Sequence, residues 1–177
     1  ISSFSPVENL TEDQERALSR IRSFPSDMFY LYGVTGSGKS EVYLRRAEDV
    51  IRSGKQVLYM VPEITLSHQV TGEVYQRFNK RVAILHSALT PSQRLKVWRE
   101  IMNGDVDLVV GARSSVFAPF KNLGLIIMDE EHEGAYKSGQ SPRYSARQVA
   151  QYRAGKWKAQ LIMGSATPSL EAWNLIR

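Results

Sequence analysis

The chain has 177 residues, 42% hydrophobic and 23% charged, which suits one globular domain with a buried core. It has no cysteine, which excludes disulfides and thiolate metal sites, and no apolar run approaches the roughly 20 residues that span a bilayer. The net charge of +5 permits a polyanionic partner without pointing to one.

No charged–apolar–small leader pattern opens the sequence, and with the missing cysteines this predicts a cytoplasmic protein with no membrane partner. The chain starts at Ile1 rather than methionine and ends within an apolar-periodic stretch at Arg177. From this we expect residues 1–177 to be a single domain excised from a longer protein.

The first helix signal is Thr11 with Gln14, the spacing of a capping box, where the two side chains satisfy free backbone N–H groups reciprocally. Phe29–Tyr32 then reads as a short buried strand. Gly33 to Ser40 follows as GVTGSGKS, the phosphate-binding P-loop pattern, and opens into the helix-forming Glu41–Ala47. In that strand–loop–helix context Gly33, Thr35, Gly36, Ser37 and Gly38 bring backbone N–H groups against phosphate oxygens. The helix adds its positive N-terminal end. Lys39 reaches the β- and γ-phosphates and the Ser40 hydroxyl holds Mg²⁺. The bland alternative is a glycine-rich turn before an ordinary helix.

Val57–Val61 is the next strand, ending at Pro62-Glu63, and Leu66, Val70, Val74 and Phe78 then mark one face of a helix. Val82–Leu85 is a strand. Thr90 with Gln93 repeats the capping box, with Pro91 at the first helical position, ahead of a helix carrying Leu95, Trp98, Ile101 and Met102 on one side. Leu108–Val110 is a strand leading into Gly111-Ala112-Arg113-Ser114. Leu125–Met128 is another, and Asp129-Glu130-Glu131-His132 stands at its carboxyl end, where open α/β sheets bind ligands. Asp129 suits a Mg²⁺ shell and Glu130 the polarisation of an attacking water; a charged loop after a strand is the ordinary alternative.

Glu133 to Tyr144 has no clear periodicity, and Ser145 with Gln148 is a third capping-box match. The last strand, Leu161–Met163, ends in Gly164-Ser165-Ala166-Thr167-Pro168. Beside a P-loop and an Asp-Glu pair, Ser165 and Thr167 read as an element coupling the nucleotide site to motion elsewhere. The βαβα rhythm with near-continuous apolar strands predicts an α/β fold, a parallel sheet covered by helices on both faces. Strand order does not follow from it.

GVTGSGKS, DEEH and GSATPS, in this order and spacing, resemble the motifs of superfamily 2 helicases, which are built on RecA-like domains. The longer stretches GVTGSGKSEVYL, LYMVPEITL, His86-Ser87, VVGARSSVFAPFKNLGLIIMDEEH, YKS…RYSARQVAQYRA and MGSATPSLEAW narrow the resemblance to the PriA-type replication-restart helicases (primosomal protein N′). It runs from about Leu10 to Trp173 and corresponds to the first of two RecA-like lobes. Ser40 and Ala112 stand where that family often has threonine; Ser40 keeps the hydroxyl.

The resemblance implies an ATP-dependent DNA helicase acting at stalled or abandoned replication forks, with ATP and Mg²⁺ as cofactors. It implies as partners single-stranded and forked DNA, a second RecA-like lobe and a DNA-binding domain of the same protein, and other replication-restart proteins. It gives Gln14 the recognition of adenine, although the capping box already explains that residue. It places Pro62, Glu63, Arg113 and Ser114 against the DNA backbone. It likens the segment holding Tyr136, Lys137, Arg143, Tyr144 and Arg147 to an aromatic-rich loop, where rings stack on bases and cations pair with phosphates; the tyrosines could equally pack on the following helix. Since such helicases complete their active site between two lobes, one lobe alone is expected to bind ATP but hydrolyse it negligibly. Another superfamily 2 translocase of the RecG type, a P-loop small-molecule kinase and a non-hydrolysing nucleotide-binding module are the alternatives.

Overall fold

The computed structural model describes residues 9–33, 38–63, 66, 68–79, 81–130, 134–139 and 141–166. The expected sites Thr35, Gly36, Ser37 and Thr167 lie outside these residues.

Six strands form one all-parallel sheet: β1 (Met28–Tyr32), β2 (Gln56–Met60), β3 (Val82–Leu85), β4 (Leu108–Gly111), β5 (Leu123–Met128) and β6 (Gln160–Ser165). Their spatial order is β1-β6-β5-β2-β4-β3. The helices are α1 (Glu12–Ser23), α2 (Lys39–Arg52), α3 (His68–Phe78), α4 (Pro91–Asn103) and α5 (Ala146–Trp157). None of the described helices is long and apolar enough to cross a membrane.

The expected two-sided cover is present. Leu18 and Ile21 of α1, Val42, Ala47 and Val50 of α2 and Val74 of α3 pack with Val57, Leu125 and Ile162 on one face. Ile101 of α4 and the alanines 146, 150 and 154 of α5 pack with Leu58, Ile126 and Leu161 on the other. Every residue of β2, β4, β5 and β6 is buried, which is why these strands read as continuous apolar runs.

Two of the three capping boxes form. Thr11 and Thr90 each accept from the backbone N–H of the glutamine three residues on, and that glutamine accepts from the cap's N–H. Ser145 makes no such bond. Its backbone is committed to an antiparallel bridge with Lys137, which sets its direction before α5 begins. The apolar stripe expected on α4 is also narrower than the sequence suggests: Ile101 is buried and Trp98 half-buried, but Leu95 and Met102 are 52% and 55% exposed.

Gln56 joins the sheet to the loops at its amino edge. Its Nε2 donates to the carbonyls of Ile101 (3.1 Å) and Val106 (2.7 Å), and its Oε1 accepts from the N–H groups of Lys121 (2.8 Å) and Asn122 (3.0 Å). Removing this amide strands several buried backbone groups, each worth about 1–3 kcal/mol if left unpaired. Gln56→Ala is therefore expected to lower unfolding stability by roughly 3 kcal/mol or more, read as a drop in urea midpoint without a change in slope.

Candidate functional site

Parallel pairing brings the carboxyl ends of all six strands to one edge, and two depressions lie there. The first is an open cleft of about 520 Å³ lined by Thr11, Gln14, Tyr32, Gly33, Gly38 and Lys39 among others. Gly33 follows β1 directly and its N–H donates to the Ser165 carbonyl (3.3 Å), so the P-loop entrance is tied to the end of β6. The Lys39 ammonium donates to the Gly33 carbonyl. Gly38 has φ +81°, a left-handed backbone that favours glycine, and a Cβ there would push the end of the Gln14 side chain aside. Gln14 Nε2 donates to the Gly38 carbonyl (3.1 Å). Gln14 thus caps α1, braces the P-loop and faces the cleft at once.

Asp129 leaves β5 beside this cleft. Burial raises its carboxyl pKa and the neighbouring Glu130 charge adds to the rise; the Glu130 backbone, the Tyr43 hydroxyl and Lys39 pull the other way. A carboxylate so enclosed, with an acid next to it and a serine hydroxyl, Ser40, in the first turn of α2, presents hard oxygen donors with negative charge in excess. Such hard, anionic oxygens suit a divalent cation such as Mg²⁺. Glu130 has φ +51°, an uncommon left-handed backbone for a residue with a Cβ.

The second depression is a groove of about 410 Å³. It gathers Pro62, Glu63, Arg113 and Ser114, which the sequence placed together, and adds Ser87, Arg94 and Tyr136. Glu63 is exposed and its Oε1 accepts from the Ser87 N–H (3.0 Å). Arg113 and Ser114 begin a 3-10 turn, Arg113–Phe117, which Arg153 of α5 clamps by donating to the carbonyls of Val116 and Ala118. Arg94, on α4, donates to the His86 carbonyl (3.2 Å); an arginine in a helix with no motif around it gave no signal of this.

The segment after Asp129 differs from an open aromatic loop. Its described part contains a 3-10 turn, Gly134–Tyr136, and the Lys137–Ser145 bridge. Tyr136 is only 2% exposed, and its hydroxyl donates to the Asp129 carbonyl (2.6 Å). Its ring is therefore packed into the core at the wall of the groove, unlike the open stacking face expected of it. Tyr144 is half-buried and meets the Phe117 ring edge-on at 4.9 Å, with the Arg113 guanidinium 5.9 Å from its centroid. Arg113 Nη1 also donates to the Lys137 carbonyl (2.9 Å). The Lys137 and Arg143 side chains are exposed, Arg147 is half-buried on α5, and Ser165 is buried at the end of β6.

The chain matches the DEAD/DEAH box helicase family over residues 11–175. It belongs to that family. It is 56% identical over 165 residues to the replication restart protein PriA of Treponema pallidum, covering 93% of this chain and 25% of that protein. It is 47% identical over 168 residues to the PriA of Bacillus subtilis, covering 93% and 21%. The chain thus spans about a fifth to a quarter of the length of these relatives. Among solved structures it is similar to RecG bound to a three-way DNA junction (TM-score 0.67, 32% identity, 94% of this chain and 22% of that one). It shares its fold with the helicase MrfA bound to DNA and AMPPNP (TM-score 0.68, 17% identity, 93% and 25%). The fold is RecA-like, and family membership implies nucleotide binding. A metabolite kinase is set aside.

Glu41, next to Ser40, anchors α2 from behind. It is buried between Arg77 of α3 (2.9 and 3.1 Å) and Arg45 (2.7 Å). Burial pushes its carboxyl pKa up, but the bonds and charges of the two arginines outweigh that and hold it below the ordinary glutamate value. A carboxyl with a depressed folded pKa stabilises above its unfolded pKa of about 4.3 and loses that contribution as pH falls through the folded value. Glu41→Gln should cost about 3 kcal/mol at pH 7. The deficit should shrink as both proteins are acidified below about pH 4, measured by denaturant melts across pH.

Proposed function

We propose that this chain is the ATP- and Mg²⁺-binding RecA-like lobe of a PriA-type DNA helicase. The observation that carries the reading is the junction at Asp129. A P-loop cleft lies on one side of it, and on the other lies a groove assembled from Pro62, Glu63, Arg113 and Ser114. The 56% identity to a replication restart protein favours this reading over a RecG-type translocase, for which the corresponding figure is 32%.

In this reading Gln14 faces the adenine, and residues 33–40 cradle the phosphates. Lys39 gives up the Gly33 carbonyl to reach the terminal phosphates, exchanging a neutral acceptor for a charged one. Ser40 and Asp129 would hold the Mg²⁺, which when bound would offset phosphate charge. Glu130 takes a proton from the attacking water. DNA backbone lies in the groove against Arg113 and Ser114, with Lys137, Arg143, Tyr144 and Arg147 at its margin. Ser165 and Thr167 relay the state of the cleft. The full protein would couple hydrolysis to unwinding at stalled or abandoned forks, in the cytoplasm, with a second lobe, a DNA-binding domain and other restart proteins as partners.

In the full-length protein, Lys39→Ala should weaken binding of a fluorescent ATP analogue by roughly 1.5–3 kcal/mol and abolish DNA-stimulated turnover. Wild-type affinity with undiminished turnover would remove Lys39 from the site.

The 177 residues alone should bind ATP yet turn it over negligibly with or without single-stranded DNA. A second lobe would contribute an arginine finger worth roughly 10³–10⁵ in rate. A steady-state assay decides this, and DNA-stimulated turnover near that of an intact helicase would place every catalytic group within this chain.

A further inference from the structure

One tyrosine lies at the meeting point of three motifs and has no assigned part in any of them. Tyr43 is on α2, one helical turn after Lys39, and is fully enclosed at 0% exposure. Its ring packs tilted against Tyr59 of β2, with centroids 6.0 Å apart. Its hydroxyl donates to Asp129 Oδ1 at 3.3 Å. On β6, a Cβ at Gly164 would stand 1.5 Å from that hydroxyl oxygen and 3.5 Å from Asp129 Oδ1.

We propose that Tyr43 is a positioning residue for Asp129: its hydroxyl sets the direction of the metal-holding carboxylate, and Gly164 is side-chain-free to admit it. This rests on the reading of Asp129 as a Mg²⁺ ligand. A phenylalanine would fill the same space in the core, so packing does not explain the hydroxyl. A buried hydroxyl is costly unless bonded, and the carboxylate is the side-chain acceptor it meets. Holding one carboxylate oxygen fixes the rotation of the group and hence where the other oxygen points. Groups that orient a metal ligand from behind control the affinity of the site as strongly as many ligands do. The same hydroxyl abuts Gly164, one residue before Ser165, so a shift of the β6 end reaches the carboxylate through Tyr43.

The test is Mg²⁺ dependence in the full-length protein, read by equilibrium binding of a fluorescent ATP analogue titrated with MgCl₂ and, separately, in EDTA. For Tyr43→Phe the Mg²⁺ half-saturation should rise roughly tenfold, with metal-free nucleotide affinity within about twofold of wild type. Gly164→Ala, which drives a methyl into the hydroxyl, should raise it similarly. The Tyr43→Phe/Gly164→Ala double variant should fall short of the product of the two, because both act on one contact. Asp129→Asn separates the two readings. If it leaves Mg²⁺ dependence intact, the metal-ligand assignment fails. If it abolishes that dependence while Tyr43→Phe keeps the wild-type half-saturation, the positioning role alone is overturned. Equal losses with and without metal would also overturn it, as the signature of packing. Should Tyr43→Phe fail to fold, Gly164→Ala gives the decision on the same criteria.

Discussion

A carboxylate placed at the end of a fully buried strand is unfavourable unless its surroundings answer it, and much of this molecule is arranged around Asp129. Its N–H donates to the Met60 carbonyl of β2 (2.9 Å), its own carbonyl accepts from Tyr136, and its carboxylate accepts from Tyr43. Three polar groups of one residue thereby engage a neighbouring strand, the segment that follows the site and the P-loop helix. Lys39 supplies the nearby positive charge, which lowers a carboxyl pKa that burial and Glu130 raise. The balance still favours the proton relative to an ordinary aspartate, so a bound cation would relieve it.

The sheet turns this local arrangement into a division of labour. In the order β1-β6-β5-β2-β4-β3, the nucleotide cleft lies at the β1 end beside α1 and α2, and the groove lies beyond the ends of β2, β4 and β3, with Tyr136 from the segment after β5. Parallel strands deliver all those ends to one edge, and helices on both faces bury the rest. Outlying contacts then stiffen each half. Glu41, Arg45 and Arg77 lock α2 to α3 behind the cleft, and Arg153 fixes the Arg113–Phe117 turn to α5 beside the groove.

What could be read in advance was what depends on near neighbours in sequence. The P-loop context, the six strands and the Thr11 and Thr90 caps all follow from spacing or from runs of one residue type. What could not be read depends on distant partners. Strand order is a choice among long-range pairings that the same apolar runs permit. Ser145 has the right residue three positions on, yet its bridge to Lys137 overrides the cap. Tyr136 belongs to a polar-looking segment, yet its ring joins the core and its hydroxyl bonds the Asp129 carbonyl, a partner seven residues away that spacing does not announce. Tyr43 reads as one more apolar-face residue of α2; its role emerges when Gly164, 121 positions later, is seen to leave room for its hydroxyl.

The Asp129 carbonyl belongs to the peptide that joins Asp129 to Glu130, and Tyr136 holds that oxygen at 2.6 Å. The orientation of this planar unit enters directly into the φ of Glu130, which stands at +51°. A left-handed backbone at a residue with a Cβ costs on the order of 1–3 kcal/mol and persists where its neighbours over-determine it. Here the Met60 bond fixes one side of Asp129, Tyr43 fixes its side chain and Tyr136 fixes the following peptide. The backbone of Glu130, the residue proposed to activate water, is thus held in part by the hydroxyl of a ring that lines the groove.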